Sequence, residues 1–140
     1  MSSFIRISEA SSIAFHTAAF LAQNAERLVS SREIARALGV SENHLSKVLQ
    51  RLARSGLVHS TRGPNGGFRI HSPWERIRLI EIYEAIEGPI ASGRCLLGLP
   101  ICRGNRCALG VLVHRTDEAA RKCLTGTTLA EMAKSFRRGG

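Results

Sequence analysis

The chain has 140 residues, 44% of them apolar, and a net charge of +9 from 20 Lys and Arg against 11 Asp and Glu. That suits one packed domain with at most a small appendage. No run of about 18 apolar residues occurs, which excludes a transmembrane helix. The polar N-terminus, interrupted by Glu9, lacks the layout of a signal peptide, so a cytoplasmic location is expected.

Residues 4–8 alternate apolar and polar only briefly. A helix is predicted from Ser8 or Glu9 to about Asn24, with Ile13, Ala14, Thr17, Ala18, Phe20 and Leu21 as its apolar face. His16 falls among Phe15, Ala18 and Ala19, an unusual setting for a lone imidazole. It reads either as a core or interface histidine with a satisfied hydrogen bond or as a ligand.

The stretch 30–71 organises the rest. Ser30 and Glu33 have capping-box spacing, and Ile34, Ala35 and Leu38 give the helix that follows one apolar face. Gly39 supplies the turn and Ser41 the next N-cap. In the second helix Leu45, Val48, Leu49 and Leu52 recur at i, i+3, i+4 and i+7. The opposite face carries Asn43, His44, Ser46, Lys47, Gln50, Arg51 and Arg54, a set of donors, acceptors and cations suited to base edges and phosphates. Gly56 closes the helix. Residues 57–61 and 68–71 read as strands around the tip Arg62-Gly63-Pro64-Asn65-Gly66-Gly67. The pattern predicts a helix-turn-helix followed by a β-wing.

Charge supports a nucleic-acid partner. Between Ser31 and Arg78 nine basic residues stand against three acidic ones, so this stretch holds +6 of the +9. Such a patch supplies phosphate affinity by counterion release. Asn43, His44, Ser46 and Lys47 are expected at base edges, and Arg32 and Arg51 at phosphates. Arg62 is expected at phosphate or the minor groove, with Gly63, Gly66 and Gly67 allowing close approach. Ser41 and Asn65 complete the expected DNA-facing set.

Pro73 breaks the second strand. Leu79, Ile82, Tyr83 and Ile86 then have helical spacing, ended by Gly88-Pro89. Residues 89–105 are rich in Gly, Pro and Cys without a period, and read as an irregular loop. A long helix is expected over 106–123, with Leu109, Leu112, Val113, Thr116 and Ala120 as a stripe that packs on its own domain or on a twin helix. Thr128 and Glu131 start a last short helix, to about residue 136. The expected organisation is a DNA-binding domain at 1–88, a cysteine-bearing sensor loop at 89–105, and dimerisation and C-terminal helices at 106–140.

Cys95, Cys102 and Cys107 fall within thirteen residues, spaced x6 and x4. The paired C-x2-C arms usual for zinc are absent. Three thiolates on a Gly-containing loop can wrap an iron–sulfur cluster, and Arg94, Arg103 and Arg106 offset their charge. A zinc site, a thiol-disulfide sensor or three unrelated loop residues are the alternatives. A cluster generally takes four ligands. Cys123, on an apolar helix, reads as a buried small residue, so His16 is the leading fourth ligand, with Glu9 and Ser12 next.

On the strength of IARALGVSENHLSKVLQRLARSGLVHSTRGPNGGF and the cysteine loop, the chain resembles the bacterial winged-helix regulators typified by IscR, NsrR and CymR, over residues 5 to about 132. Their wing signature stands here as Arg62-Gly63-Pro64-Asn65-Gly66-Gly67-Phe68. The resemblance implies transcriptional control, a homodimer with crossed long helices, and a cluster on the three cysteines whose fourth ligand comes from the partner's first helix. Cluster-binding relatives usually space their cysteines x5 and x5. Nitric-oxide sensors carry an aspartate where this chain has Ser12, and a histidine one turn later would be His16.

The expected protein is therefore mainly α with a small β-wing: a winged helix-turn-helix plus a long dimerisation helix. The expected function is a dimeric regulator, in the sense of a repressor, on an inverted-repeat operator, under the control of a 2Fe–2S or 4Fe–4S cluster. RNA polymerase is a further candidate partner. A cluster-free regulator sensing thiol oxidation, zinc or a metabolite is the nearest alternative, and an iron–sulfur electron-transfer protein is the alternative of another class. No nucleophile–base–acid set converges in the motifs, so an enzyme is not expected.

Overall fold

The computed structural model describes residues 5–90, 95 and 107–136. Helix α1 (Glu9–Gln23) starts where Ser8 Oγ accepts the Ser11 N–H at 3.1 Å and ends at Asn24. All six residues expected on its apolar face are buried, and so are Ser11, Ala19 and Ala22. α1 is thus enclosed over most of its circumference, and Ser12 and His16, one turn apart, are left exposed.

Helix α2 (Ser31–Leu38) is capped by Ser30, whose Oγ accepts the Glu33 N–H at 3.1 Å, and stops at Gly39 with φ 67°. The Glu33 carboxylate takes the Arg27 guanidinium. Helix α3 (Glu42–Arg54) opens on Ser41, whose Oγ accepts the His44 N–H at 3.2 Å. Leu45, Val48, Leu49 and Leu52 are all buried against α1 and α2. Fully burying side chains of this size is worth about 1.5–3 kcal/mol each, and it fixes which face of α3 remains outside.

Strands β1 (Val58–Thr61) and β2 (Gly67–Ile70) pair antiparallel in the register Val58↔Ile70 to Thr61↔Gly67. The expected boundaries hold to within one residue. An unforeseen rung joins the wing to the core: Val29 N–H donates to Phe68 O at 2.9 Å and Phe68 N–H to Val29 O at 2.8 Å. β2 is therefore held on both edges.

After a single 3-10 turn (Trp74–Arg76) comes α4 (Leu79–Glu87), which buries Ile82, Tyr83 and Ile86 and ends at Gly88 with φ 79°. Burial pushes the Tyr83 phenol above its ordinary pKa.

Helix α5 (Ala108–Gly126) runs three residues past the expected end, and its inward positions are Gly110, Val113, Asp117 and Leu124. The expected stripe is split. Val113 is fully buried, whereas Leu109 and Leu112 remain 54% and 52% exposed. At 3.6 residues per turn, 109, 112, 116 and 120 follow a different row of the helix from 110, 113, 117 and 124. Cys123, expected to be buried, is exposed, its Sγ 3.9 Å from Thr127 Oγ1.

Helix α6 (Leu129–Ser135) returns to the first helix. Leu129 N–H donates to Ile77 O at 2.7 Å and Leu79 N–H to Thr127 O at 3.0 Å. Leu129 and Ala133 join the same core cluster as α1, and Gln23 Nε2 closes the helix end by donating to Ala133 O and Phe136 O.

Candidate nucleic-acid interface

The buried row of α3 leaves Asn43, His44, Ser46, Lys47, Gln50, Arg51 and Arg54 exposed, as the spacing predicts. A cleft of about 200 Å³ separates this helix from the start of α1. Ala10, Ile13 and Val48 floor it, and Glu9, His44, Lys47 and Arg51 form its rim. Ser41 is exposed, with its hydroxyl committed to the helix cap. Arg32 lies across the helix-turn-helix elbow from Glu42, at 3.5 Å, with both side chains largely in solvent.

Arg51 has a partner that sequence reasoning missed. Its Nη1 donates to Ile86 O at 2.9 Å. A cation at a helix C-terminus satisfies an orphan carbonyl and meets the negative end of the helix dipole. Two more contacts converge on the same end of α4. Ser8 Oγ and Ser11 Oγ both donate to Glu87 Oε1, the latter at 2.8 Å. From α5, Arg121 Nη2 donates to Ile90 O at 2.9 Å. The end of α4 is thus held from α3, α1 and α5.

Arg62, Gly63, Pro64 and Asn65 are exposed at the wing tip, and Gly66 is half-buried. The glycines have reasons internal to the wing. Gly66 N–H donates to Gly63 O at 2.9 Å, and a Cβ at 66 would lie 2.0 Å from Thr61 O. A Cβ at 67 would lie 2.7 Å from Val29 O. The double glycine lets the turn close on β1 and the strand close on Val29.

Of the expected sensor residues, Cys95 and Cys107 are half-buried, whereas Cys102 and most of the loop 89–105 lie outside the described residues. Among the described residues no three His, Cys, Asp or Glu side chains stand together in metal-holding geometry. His16 is exposed, not enclosed, because its apolar sequence neighbours point to other sides of α1. Its Nδ1 lies 2.7 Å from Ser12 O. A carbonyl only accepts, so Nδ1 carries a proton, and in the neutral ring the lone pair is on Nε2. The Phe136 ring is 6.0 Å away.

Among the described residues no helix is long and apolar enough to cross a membrane. The model of the family Rrf2, "Iron-dependent Transcriptional regulator", matches residues 7–135. Protein aau3 of Rhizobium meliloti (strain 1021) is 33% identical over 135 residues, covering 94% of this chain and 86% of the relative. The structure of CymR, the global cysteine regulator of B. subtilis, superposes with a TM-score of 0.78 at 28% identity, covering 95% of this chain and 99% of CymR. T. potens IscR shares the fold, with a TM-score of 0.74 at 23% identity over 96% of this chain and 94% of its own. A winged helix-turn-helix with an exposed basic recognition helix, matched over nearly its whole length, belongs to the Rrf2 family of DNA-binding transcriptional regulators, which are not enzymes.

Proposed function

We propose that this regulator works as a homodimer on an inverted-repeat operator, and that an iron–sulfur cluster on Cys95, Cys102 and Cys107 sets its affinity. His16 of the partner chain is the fourth ligand. The observation that carries the cluster reading is the donor chemistry. Three cysteines lie in one short stretch, and the His16 imidazole has its Nδ1 proton committed to a backbone carbonyl, the arrangement that fixes a ligating histidine with a bare Nε2. Thiolates and imidazole suit iron–sulfur ligation. When bound, such a group supplies sensitivity to oxidants, nitric oxide or iron supply.

Dimer formation through α5 is supported by Leu109, Val111 and Leu112, which lie exposed on one helix. A two-fold dimer presents two copies of α3, hence the inverted repeat. In each copy Asn43, His44, Ser46 and Lys47 meet base edges, Arg32 and Arg51 meet phosphates, and Arg62 reaches phosphate or minor groove beside Gly63, Asn65 and Gly66. Because α1 packs on α2 and α3, a ligand drawn onto the partner's α1 bears on the spacing of the recognition helices. A coupling of about 1–3 kcal/mol is enough to change affinity several-fold or more.

Anaerobic reconstitution of single Cys→Ala and His16→Ala variants, read by iron and sulfide content and by operator gel shift, tests the reading. Loss of the chromophore in each cysteine variant supports it; three cysteine variants that load like the parent remove the cluster. A loss confined to the cysteine variants moves the fourth ligand to Glu9 or Ser12. The second reading, a cluster-free regulator sensing thiol oxidation, is favoured by the likeness to CymR and by the exposure of Cys123. It requires operator affinity to follow thiol oxidation in protein that holds no iron.

A further inference from the structure

The imidazoles of His59 and His71 belong to neither the base-reading face nor the cysteine group. His59 is on β1 and His71 directly follows β2. The ladder sets His59 opposite Arg69. Strand alternation puts 69 and 71 on one face, so the two histidines are diagonal neighbours. Both are exposed. Nε2 of His59 is 2.8 Å from Nδ1 of His71, with ring centroids 5.0 Å apart and planes at 62°. At that distance one nitrogen carries a proton and the other accepts it.

We propose that His59 and His71 form a two-histidine chelate for a divalent transition-metal ion of the Cu2+ or Ni2+ class, at the base of the wing. The ion replaces the shared proton. The donor ring changes tautomer through solvent, moving its proton from the shared nitrogen to the outer one, so each shared nitrogen offers a lone pair and the neutral pair releases no net proton. The spacing selects the metal. With metal–nitrogen bonds of about 2.0–2.1 Å, a 2.8 Å separation gives an angle of about 85° at the ion. That is the cis angle of square-planar or octahedral coordination, as Cu2+ and Ni2+ prefer. Tetrahedral Zn2+ needs the nitrogens about 3.3 Å apart, roughly half an ångström wider than the pair stands, so the two rings would have to turn away from each other.

Arg69 is the cation that would oppose a bound ion on this face. Its Nη2 donates to Glu26 O at 3.2 Å, which draws the guanidinium toward the α1–α2 connection. Water fills the remaining positions. A bound ion cross-links the two strands at the end of the ladder away from Arg62, and it adds positive charge beside the face expected to meet DNA.

The test is Ni2+ titration of the full-length parent, His59→Gln and His71→Gln by calorimetry, with paramagnetic broadening of backbone amide signals. Cysteine binding is common to all three proteins, so the difference reports the pair. Both histidines are exposed, so neither change threatens the fold, and unchanged melting checks this. The expected result is one site in the parent, over and above the cysteine binding shared by all three proteins, that weakens at least about tenfold in either variant, a loss of about 1.4 kcal/mol or more. Broadening centred on His59, Arg69 and His71, and affinity in the order Cu2+, Ni2+, Zn2+, complete it. A parent isotherm that neither substitution changes, or a histidine-dependent site that prefers Zn2+ to Ni2+, overturns the assignment. This outcome is independent of the cluster reading.

Discussion

Replacing Gly67 with alanine tests how the wing is fastened to the core. The new Cβ would sit 2.7 Å from Val29 O, 2.9 Å from its carbonyl carbon and 3.1 Å from its nitrogen. Comfortable contact needs about 3.5 Å, so strand and Val29 must part by several tenths of an ångström. The obstacle is backbone, which cannot swing away as a side chain would. The separation strains the two Val29–Phe68 hydrogen bonds, at 2.9 and 2.8 Å. Each is worth about 0.5–1.5 kcal/mol net. Overpacking adds about 1–3 kcal/mol. The expected destabilisation is about 2–6 kcal/mol, or a melting temperature lower by roughly 6–20 °C for a domain of this size. Scanning calorimetry gives the melting point, and amide exchange at Val29 and Phe68 locates the damage. Gly126→Ala is the control, because a Cβ there meets nothing within 4 Å. A Gly67→Ala protein that melts with the parent and keeps its protection at both amides would refute the argument.

Three further outcomes are expected. Leu129 is fully buried in the shared core, so Leu129→Ala should lower stability in urea by about 2–5 kcal/mol; a negligible change would mean that α6 does not belong to the core. Arg51→Ala should cost about 1 kcal/mol in stability through loss of the α4 cap, and should also reduce the slope of log affinity against log salt by about one. Stability loss with an unaltered slope would leave Arg51 a cap and not a phosphate contact. The double change Leu109→Ala, Leu112→Ala should weaken the dimer by about 4 kcal/mol, from two half-exposed leucines on each of two protomers at about 1 kcal/mol apiece. Sedimentation equilibrium measures this, and an unaltered dimer would place the interface elsewhere.

The readable parts of the chain were those whose signals are local. Ser30, Ser41 and Thr128 each cap the helix that follows them, and their hydroxyls accept the expected backbone protons. The four apolar residues of α3 fixed its exposed face without ambiguity, because their spacing fits only a helix. What escaped was what depends on distant partners. Val29 forms a strand rung one residue long, too short for any periodicity. The partners of Arg51, Glu87 and Arg121 lie 35, 76 to 79 and 31 residues away in the chain. The apolar surroundings read for His16 gave way to an exposed position, because sequence neighbours on a helix are not spatial neighbours. The split of α5 into an inward and an outward row turns on which of two overlapping spacings the core takes up, and pattern alone does not choose.

The three-sided grip on the end of α4 bears on where a signal would enter the fold. Ile86, Glu87 and Ile90 are each held by a different helix, so the chain leaves the DNA-reading half from a fixed point. Further along the chain, Cys107 leads into α5. Ile90 is bound by Arg121 of α5, and Cys107 stands at the N-cap of that same helix, so both ends of the cysteine-bearing stretch answer to α5. Under the proposed cluster reading, a change at the cysteines is then felt first in α5, the helix proposed to join the two protomers.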